Sequence, residues 1–130
     1  MGQQAQETYL RMQVQTAAPW ELTTMLFNGS IKFMKQAKLA IENKDYESKN
    51  TNIKKTIDIL DELLITLNHS YDVSQQLQSL YNYMKERLFL ANTKLSIDYI
   101  EECIDLMVDL RDTWVQAMKG MAIASSKVHT

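Results

Sequence analysis

The hydrophobic positions of the chain repeat with the spacing of three and four residues that is typical of amphipathic α-helices. The first such stretch runs from Ala18 to Ile41. The stripe that we expect to face a core consists of Leu22, Leu26, Gly29, Phe33, Ala37 and Ala40. A second stripe, about 100° further round the helix, consists of Phe27, Ile31, Met34 and Ile41. The two stripes together are wider than one neighbouring helix would cover, which predicts a surface for a partner.

A second helix is predicted after a short polar turn, with Asp45 as its N-cap and its end near Asn68. Its expected core stripe consists of Tyr46, Ile53, Ile57, Leu60, Leu64 and Leu67. Ile59 and Leu63 lie beside that stripe, so this helix also has a wide apolar arc.

A third helix is predicted to begin at Asp72 and to end near Asn92, because Asp72 and Gln75 have the spacing of a capping box. Its core stripe is predicted to contain Val73, Leu77, Leu80, Met84, Leu88, Ala91 and Leu95. Tyr81 and Tyr83 flank the stripe, and we interpret them as half-buried supports rather than partner contacts.

The fourth helix follows Ser96 or Asp98, either of which is able to cap it. Its core stripe is predicted to contain Ile100, Cys103, Met107, Leu110, Trp114, Ala117 and Met121. A second apolar line beside it consists of Ile104, Val108, Val115 and Met118. Past Gly120 the periodicity fades.

These patterns predict an all-α fold, an antiparallel up-down four-helix bundle, because short turns make consecutive helices antiparallel neighbours. The chain has 130 residues with one Pro and three Gly, which suits a single domain of long helices. Residues 1–16 are polar and Gln-rich and are predicted to form a flexible N-terminal arm. Residues 17–119 are predicted to form the bundle, and residues 120–130 a short disordered tail.

Charge and cysteine content restrict the function classes. The formal net charge of -2, from 14 basic and 16 acidic residues, disfavours binding to nucleic acid. The lone cysteine, Cys103, excludes an internal disulfide and favours the cytoplasm. No apolar run approaches the roughly 20 residues of a membrane-spanning helix, so we expect no stable membrane insertion.

The pattern does not favour an enzyme. A di-iron bundle needs Glu-x-x-His motifs on two helices, whereas His69 lies in a turn and His129 lies in the tail. Cys103 is on a core stripe with no histidine on its helix to activate it, and the chain has no Gly-rich phosphate loop. We therefore expect no metal and no cofactor.

Two function classes fit the surplus apolar stripes. In one, the protein is a helix-binding module whose stripes form grooves for a partner. In the other, it is a self-associating bundle whose stripes meet across a symmetric interface. Periodicity alone does not separate the two.

The order and spacing of several motifs between Tyr9 and Ala117 resemble the FliS family of flagellar export chaperones. They are Tyr9 with Val14 five residues later, Thr16-Ala17-Ala18-Pro19-x-Glu21-Leu22, Met25-Leu26-Phe27-Asn28-Gly29, Ile31-Lys32-Phe33, Asn52-Ile53, Ile59-Leu60-x-Glu62-Leu63, Leu67-Asn68, Leu80-Tyr81-Asn82-Tyr83-Met84, Arg87-Leu88, Ala91-Asn92 and Leu110-Arg111-x-x-Trp114. The chain departs from the family at Ala18, where Ser or Thr is frequent, and at His69-Ser70-Tyr71, where many members have a Gly-Gly turn.

The resemblance implies a cytoplasmic chaperone that binds the disordered C-terminal segment of flagellin, prevents its premature polymerisation and delivers it to the flagellar type III export gate. The flagellin groove is predicted to contain Phe27, Ile31, Met34, Ile59, Leu63, Ile104, Val108 and Val115. Tyr9 and Val14 are predicted to cover part of that groove, and the resemblance implies that Tyr9 docks at the gate. The free protein is expected to be a monomer or a weak homodimer. The alternatives are another helix-binding adaptor and, after it, a self-associating bundle.

Overall fold

A computed structural model of the chain describes the backbone of residues 19–129 and the side chains of residues 20–120. This part of the chain forms the helices α1 (Pro19–Glu42), α2 (Tyr46–Ile65), α3 (Ser74–Lys94) and α4 (Ile97–His129). No strand occurs within it. The predicted all-α fold is therefore confirmed, while the predicted arm of residues 1–16 lies outside the described residues.

The helices form a four-membered ring. Helix α1 packs against α2 and α4, and α3 packs against the same two helices. Since every connection is short, consecutive helices run antiparallel, as an up-down bundle requires. Each helix therefore packs against two neighbouring helices and also contributes side chains to the central core.

Two of the predicted helix starts are confirmed. The carboxylate of Asp45 accepts a hydrogen bond from the backbone N–H of Ser48 at 3.1 Å at the start of α2. Ser96 precedes α4, and its hydroxyl accepts from the N–H of Tyr99 at 3.4 Å. Both bonds satisfy N–H groups that a helix start would otherwise leave without a partner.

The capping box predicted at Asp72 is wrong. Helix α3 begins at Ser74, and Val73 is its N-cap residue with no side-chain bond. The preceding residues form a turn in which Ser74 N–H donates to the Tyr71 carbonyl at 3.1 Å, so Asp72 lies within that turn and not at the helix start. Asn68 organises the same connection, because its Oδ1 accepts from both the N–H and the hydroxyl of Ser70.

The backbone of α4 remains helical through His129, past Gly120, where the sequence pattern fades. A Cβ at Gly120 would meet nothing within 4 Å, so packing does not require a glycine there. The side chains that follow lie outside the described residues.

Side chains from all four helices form one continuous core. Its buried members are Phe27, Ile31, Met34, Ala37, Ile53, Leu60, Leu63, Tyr81, Met84, Leu88, Ala91, Ile100, Cys103 and Met107. Gly29 allows α1 and α2 to approach closely, since a Cβ there would lie 3.3 Å from Cδ1 of Ile59. This close approach is the tight helix crossing that a glycine in mid-helix suggests.

Candidate partner-binding surfaces

The seam between α1 and α4 is held in register by two polar contacts. Arg111 Nη1 donates to Asn28 Oδ1 at 3.0 Å, and Lys38 Nζ lies 2.9 Å from Glu101 Oε1. The ten residues from Asn28 to Lys38 on α1 therefore run alongside the ten residues from Arg111 back to Glu101 on α4, in the opposite direction. On this register Lys35 lies at the height of Ile104 on the other helix.

An open groove of about 550 Å³ follows this seam near the C-terminal end of α1. It is lined by Lys35, Lys38, Leu39, Glu42, Glu101, Ile104 and Asp105. Leu39 is 56% exposed, so the groove offers apolar surface to solvent. We call the groove and the outward-facing side chains beside it on α1 and α4 the α1–α4 face.

A second concave site lies at the opposite end of the bundle, where α1 begins and α2 ends. This end cavity has a volume of about 200 Å³. Its apolar lining consists of Phe27, Leu63, Leu67, Tyr71, Val73, Leu77, Tyr81, Leu110 and Trp114. Tyr71 and Val73 are 65% and 50% exposed, so the rim of the cavity offers apolar surface to solvent. Such a lining suits an apolar anchor from another polypeptide.

One wall of the end cavity is fixed by Trp114. Its Nε1–H donates to the backbone carbonyl of Trp20 at 3.0 Å, which ties α4 to the first turn of α1. The ring of Phe27 meets the Trp114 ring edge-on, with centroids 6.2 Å apart and an interplanar angle of 85°. The cavity is therefore pre-formed on one side by ordered aromatic side chains.

The structure corrects the prediction that Phe27, Ile31 and Met34 lie outside the core. These three side chains are 1%, 5% and 1% exposed, respectively. The physical reason is the ring arrangement: α2 and α4 flank α1 on both sides, so a wide apolar arc is filled within the bundle. Ile41, from the same stripe, is partly buried against the core.

The two predicted groove residues on α2 are also drawn into the bundle. Leu63 is 2% exposed, and Ile59 is half-buried with its Cδ1 against Gly29. Leu63 and Phe27 nevertheless reach the wall of the end cavity, so the structure brings these two predicted residues together at one site.

The predicted residues on α4 lie closer to the surface. Ile104, Val108 and Val115 are half-buried, and Ile104 lines the groove on the α1–α4 face. Ile104 and Val108 also pack against the core. They form an apolar line along α4 whose spacing matches one side of a helix.

Sequence reasoning missed several apolar residues that the structure exposes. Leu39 lies on neither stripe of α1, so the helical pattern gave no indication that this side chain would be exposed beside a groove. Val73 was expected in the core and instead lies on the cavity rim, because α3 begins at Ser74 and Val73 is only its N-cap residue. Ile65, at the end of α2, is 78% exposed.

The seam between α3 and α4 has a different character, because a polar cluster closes it. Arg87 Nε donates to Glu102 Oε1 at 2.7 Å, and the Tyr83 hydroxyl donates to Oε2 at 2.9 Å. The guanidinium also lies over the rings of Tyr83 and Tyr99, at 5.4 Å and 4.4 Å from the centroids. The hydrogen bond from Arg87, followed by the one from Tyr83, lowers the pKa of Glu102.

Cys103 lies beneath this cluster and is fully buried. Its Sγ is 3.8 Å from the Met84 carbonyl oxygen. Burial raises the pKa of the thiol to about 12, so it is not a nucleophile at neutral pH. Among the described residues, no group of three or more His, Cys, Asp or Glu side chains is arranged to hold a metal ion.

Tyr9 and Val14, which were predicted to act from the N-terminal arm, lie outside the described residues. The first residue after them that the structure describes is Pro19, where α1 begins. Two residues of the first turns of α1, Thr23 and Phe27, line the end cavity.

Comparison with solved structures confirms the class of fold. A protein described as "Crystal structure of flagellar chaperone from bacteria" superposes with a TM-score of 0.74, covering 90% of this chain and 97% of that chain at 18% sequence identity. This likeness establishes the fold, which is a helical bundle of the same kind.

The family model described as "Flagellar protein FliS" matches residues 1–121. The flagellar secretion chaperone FliS of Bacillus subtilis is 42% identical over 86% of this chain and 84% of its own length. The chaperone of the same name from Campylobacter jejuni is 31% identical over 92% of this chain and 95% of its own. The chain belongs to the FliS family of flagellar secretion chaperones, and the resemblance read from its motifs is confirmed.

Among the described helices, none is both long enough and apolar enough to cross a membrane.

Proposed function

We propose that this protein binds the C-terminal segment of flagellin in the cytoplasm, prevents its premature polymerisation and delivers it to the flagellar export gate. The end cavity carries this proposal. It is a pre-formed apolar site with an exposed apolar rim, in a chain that belongs to a flagellar secretion chaperone family. A disordered client that folds into amphipathic helices on binding needs such anchor sites.

The client is proposed to place an apolar side chain in the end cavity, against Phe27 and Leu63, and to continue along α4. The half-buried line of Ile104, Val108 and Val115 supplies further apolar contacts in that direction. Ile31 and Met34 support this surface from the core and have no direct client contact in the proposal, because they are buried.

The energies permit binding without a nucleotide or another cofactor. Burying one large apolar side chain contributes roughly 1.5–3 kcal/mol, whereas ordering a disordered client costs about 2–5 kcal/mol or more. A handful of anchors therefore gives useful affinity, and competition by the export machinery is sufficient for release.

The N-terminal arm is proposed to cover the end cavity in the free protein and to be displaced by the client. It joins the bundle at Pro19, close to the cavity, so the tether keeps Tyr9 and Val14 near that surface at high effective concentration. Displacement would free Tyr9 to dock at the export gate. Deleting residues 1–13 should leave client binding equal or tighter and impair delivery. Much weaker client binding would mean that the arm is part of the binding site.

The experiment that tests the client site is Val73→Asp combined with a binding titration of a flagellin C-terminal peptide. Val73 is 50% exposed on the cavity rim, so a charge there disfavours an apolar anchor. Because Val73 is half-exposed on the rim, the introduced aspartate stays in contact with water and should cost the fold little stability. We expect at least about tenfold weaker binding with an unchanged midpoint of thermal unfolding.

The matched control is Ile65→Asp, at the same end of the bundle. Ile65 is 78% exposed and does not line the cavity, so this variant should bind the peptide as the parent protein does. The sequence contains two tryptophans, Trp20 and Trp114, which are linked beside the cavity and provide an intrinsic fluorescence signal. Equal losses in both variants, or no loss in Val73→Asp, would contradict the proposed site.

A further inference from the structure

Two hydroxyl groups of α3 lie at the end cavity without a hydrogen-bond partner among the described residues. They belong to Ser74 and Tyr81, which are 5% and 2% exposed and both line the cavity. The spacing of Ser74, Leu77 and Tyr81 places the three side chains on one side of α3, and this side forms a wall of the cavity. A buried polar group without a partner costs free energy, so a pair of them at one site points to a ligand that satisfies them.

Other polar groups of the cavity lining have partners within the chain. The hydroxyl of Thr66 donates to the Leu63 carbonyl at 3.2 Å, and Oδ1 of Asn68 accepts from Ser70. The hydroxyl of Tyr81 differs from these. Burial raises the pKa of Tyr81 to about 12, so its hydroxyl keeps the proton at neutral pH and is able to donate it in a hydrogen bond.

Both hydroxyls remain open to the cavity. Among the described residues, the side-chain polar atom that is fully enclosed without a partner is Oδ1 of Asn92, which lies towards the opposite end of α3. The hydroxyls of Ser74 and Tyr81 are therefore not sealed off by protein atoms, although the residues themselves are buried. A group that enters the cavity is able to reach them.

We propose that the end cavity selects a side chain with an apolar stem and a neutral hydrogen-bonding tip, and that it takes a glutamine of the flagellin C-terminal segment. The apolar rim, where Tyr71 and Val73 are exposed, receives the methylene groups of such a side chain. The carboxamide both donates and accepts hydrogen bonds, as each hydroxyl does, so the two kinds of group are complementary. This selectivity rests on the client binding proposed above and adds the chemistry of the anchor, whose stem makes the apolar contacts.

The lining disfavours a charged tip. None of the described residues that line the cavity is charged, so a carboxylate or an ammonium group there would lose its hydration without gaining an ion pair. The volume of about 200 Å³ is below the roughly 300–1,000 Å³ of a site for a small-molecule ligand, which favours a single side chain. Tyr81 thus determines specificity, because its ring forms part of the wall and its hydroxyl contacts the tip.

The test is Tyr81→Phe in the full chain, which removes the hydroxyl and keeps the ring. Since the free protein loses no hydrogen bond, its midpoint of thermal unfolding should stay the same or rise. Binding of a flagellin C-terminal peptide, followed by tryptophan fluorescence, should weaken at least about fivefold, because the carboxamide is left buried without a partner. Ser74→Ala should change both quantities in the same directions.

Tyr83→Phe is the matched control on the same helix. The Tyr83 hydroxyl donates to Glu102 at 2.9 Å on the α3–α4 seam, and Tyr83 does not line the cavity. Its removal should lower the unfolding midpoint slightly and leave peptide binding unchanged. The two variants are therefore expected to separate: Tyr81→Phe loses binding without losing stability, and Tyr83→Phe loses stability without losing binding.

A double-mutant cycle identifies the client residue. Each glutamine of the peptide is replaced in turn by methionine, which has a similar length but no amide. Replacing the anchoring glutamine should weaken binding to the parent protein at least about fivefold. The same replacement should have little effect on binding to Tyr81→Phe, since the hydrogen bond is already absent there. Replacement by glutamate should weaken binding to both proteins, because no described lining residue is a cation.

The outcomes distinguish this selectivity from the proposed function. If Val73→Asp weakens peptide binding but Tyr81→Phe binds as tightly as the parent protein, or if no glutamine couples to Tyr81, the client site stands and the selectivity is wrong. A lower unfolding midpoint of free Tyr81→Phe would show that the hydroxyl is already paired within the chain, which also overturns the selectivity. If the parent protein binds no peptide, or if Val73→Asp has no effect, the proposed function fails and the selectivity fails with it.

Discussion

Helix α4 takes part in two seams that differ in how they are completed. On the side of α3, Arg87 and Tyr83 converge on Glu102, and the buried Cys103 lies beneath them. On the side of α1, two polar contacts fix the register of the helices. An open groove remains beside the Lys38–Glu101 contact, and the exposed Leu39 lines it. The α3–α4 seam is closed by its own side chains, whereas the α1–α4 seam has surface left for another polypeptide.

The difference shows where a helical bundle has room to bind. The apolar arc on α1 is wide enough to suggest a partner-binding surface, yet Phe27, Ile31 and Met34 within it are buried in the core. Surface for a partner remains where the outer edge of a seam lacks a closing cluster. The following predictions test this contrast, beginning with the largest expected effect.

Phe27→Ala should lower the free energy of unfolding by about 3–5 kcal/mol, the usual cost of removing a buried phenylalanine. Phe27 is 1% exposed and contacts Trp114 edge-on beneath the α1–α4 seam. Urea unfolding followed by circular dichroism measures the change. Leu39→Ala, at a residue that is 56% exposed on the same seam, should change it by under about 1 kcal/mol. Similar costs for the two variants would show that the seam is not divided into core and open surface.

Glu102→Gln should change the pH dependence of stability. The folded-state pKa of Glu102 lies below its ordinary value of 4.5, chiefly because Arg87 donates a hydrogen bond to the carboxylate. A carboxylate with a lowered pKa contributes stability above its unfolded pKa, and this contribution is lost as pH falls through the folded pKa.

The parent protein should therefore exceed Glu102→Gln in stability near about pH 6, and the difference should shrink towards about pH 3. Denaturant midpoints measured across that range test the expectation. A constant difference between the parent and Glu102→Gln would indicate that the closing cluster does not depend on the charge of Glu102.

Leu95→Gly should have the smallest effect. Leu95 joins α3 to α4 with a left-handed φ of 54°, and Lys44 joins α1 to α2 with a φ of 58°. Glycine adopts this conformation without the Cβ penalty, so each substitution should stabilise the fold by up to about 1 kcal/mol. Lys44→Gly should gain more, because Leu95 is only 40% exposed and also loses apolar contacts. Thermal unfolding of the two variants compares them, and a loss of stability in Lys44→Gly would refute the interpretation.

The sequence was sufficient to predict the helices, their antiparallel order and two of their caps. Asp45 and Ser96 cap through short-range bonds to residues three positions later, so local spacing is enough to identify them. Asp72 has a similar local pattern and fails, because the turn through Tyr71 delays the start of α3 to Ser74. Turn geometry of this kind depends on how the chain packs and is not contained in the spacing.

The division between core and surface could not be predicted from periodicity. Periodicity places Leu22 and Phe27 on different sides of α1 but does not say which direction points to the bundle centre. In the structure Phe27 is buried and Leu22 is only half-buried, the reverse of the expected order. The orientation of a helix is fixed by its two neighbours, whose positions no single helical pattern records.

The burial of Cys103 allows its chemical modification to report on local opening of the bundle. It supplies the only sulfhydryl among 130 residues, and it is fully buried with a pKa raised to about 12. Alkylating reagents react with thiolates, so modification requires that the surroundings of Cys103 open to water. The rate of alkylation therefore reports how readily this part of the core opens to water. Each molecule carries a single reactive site, so no engineered label is needed.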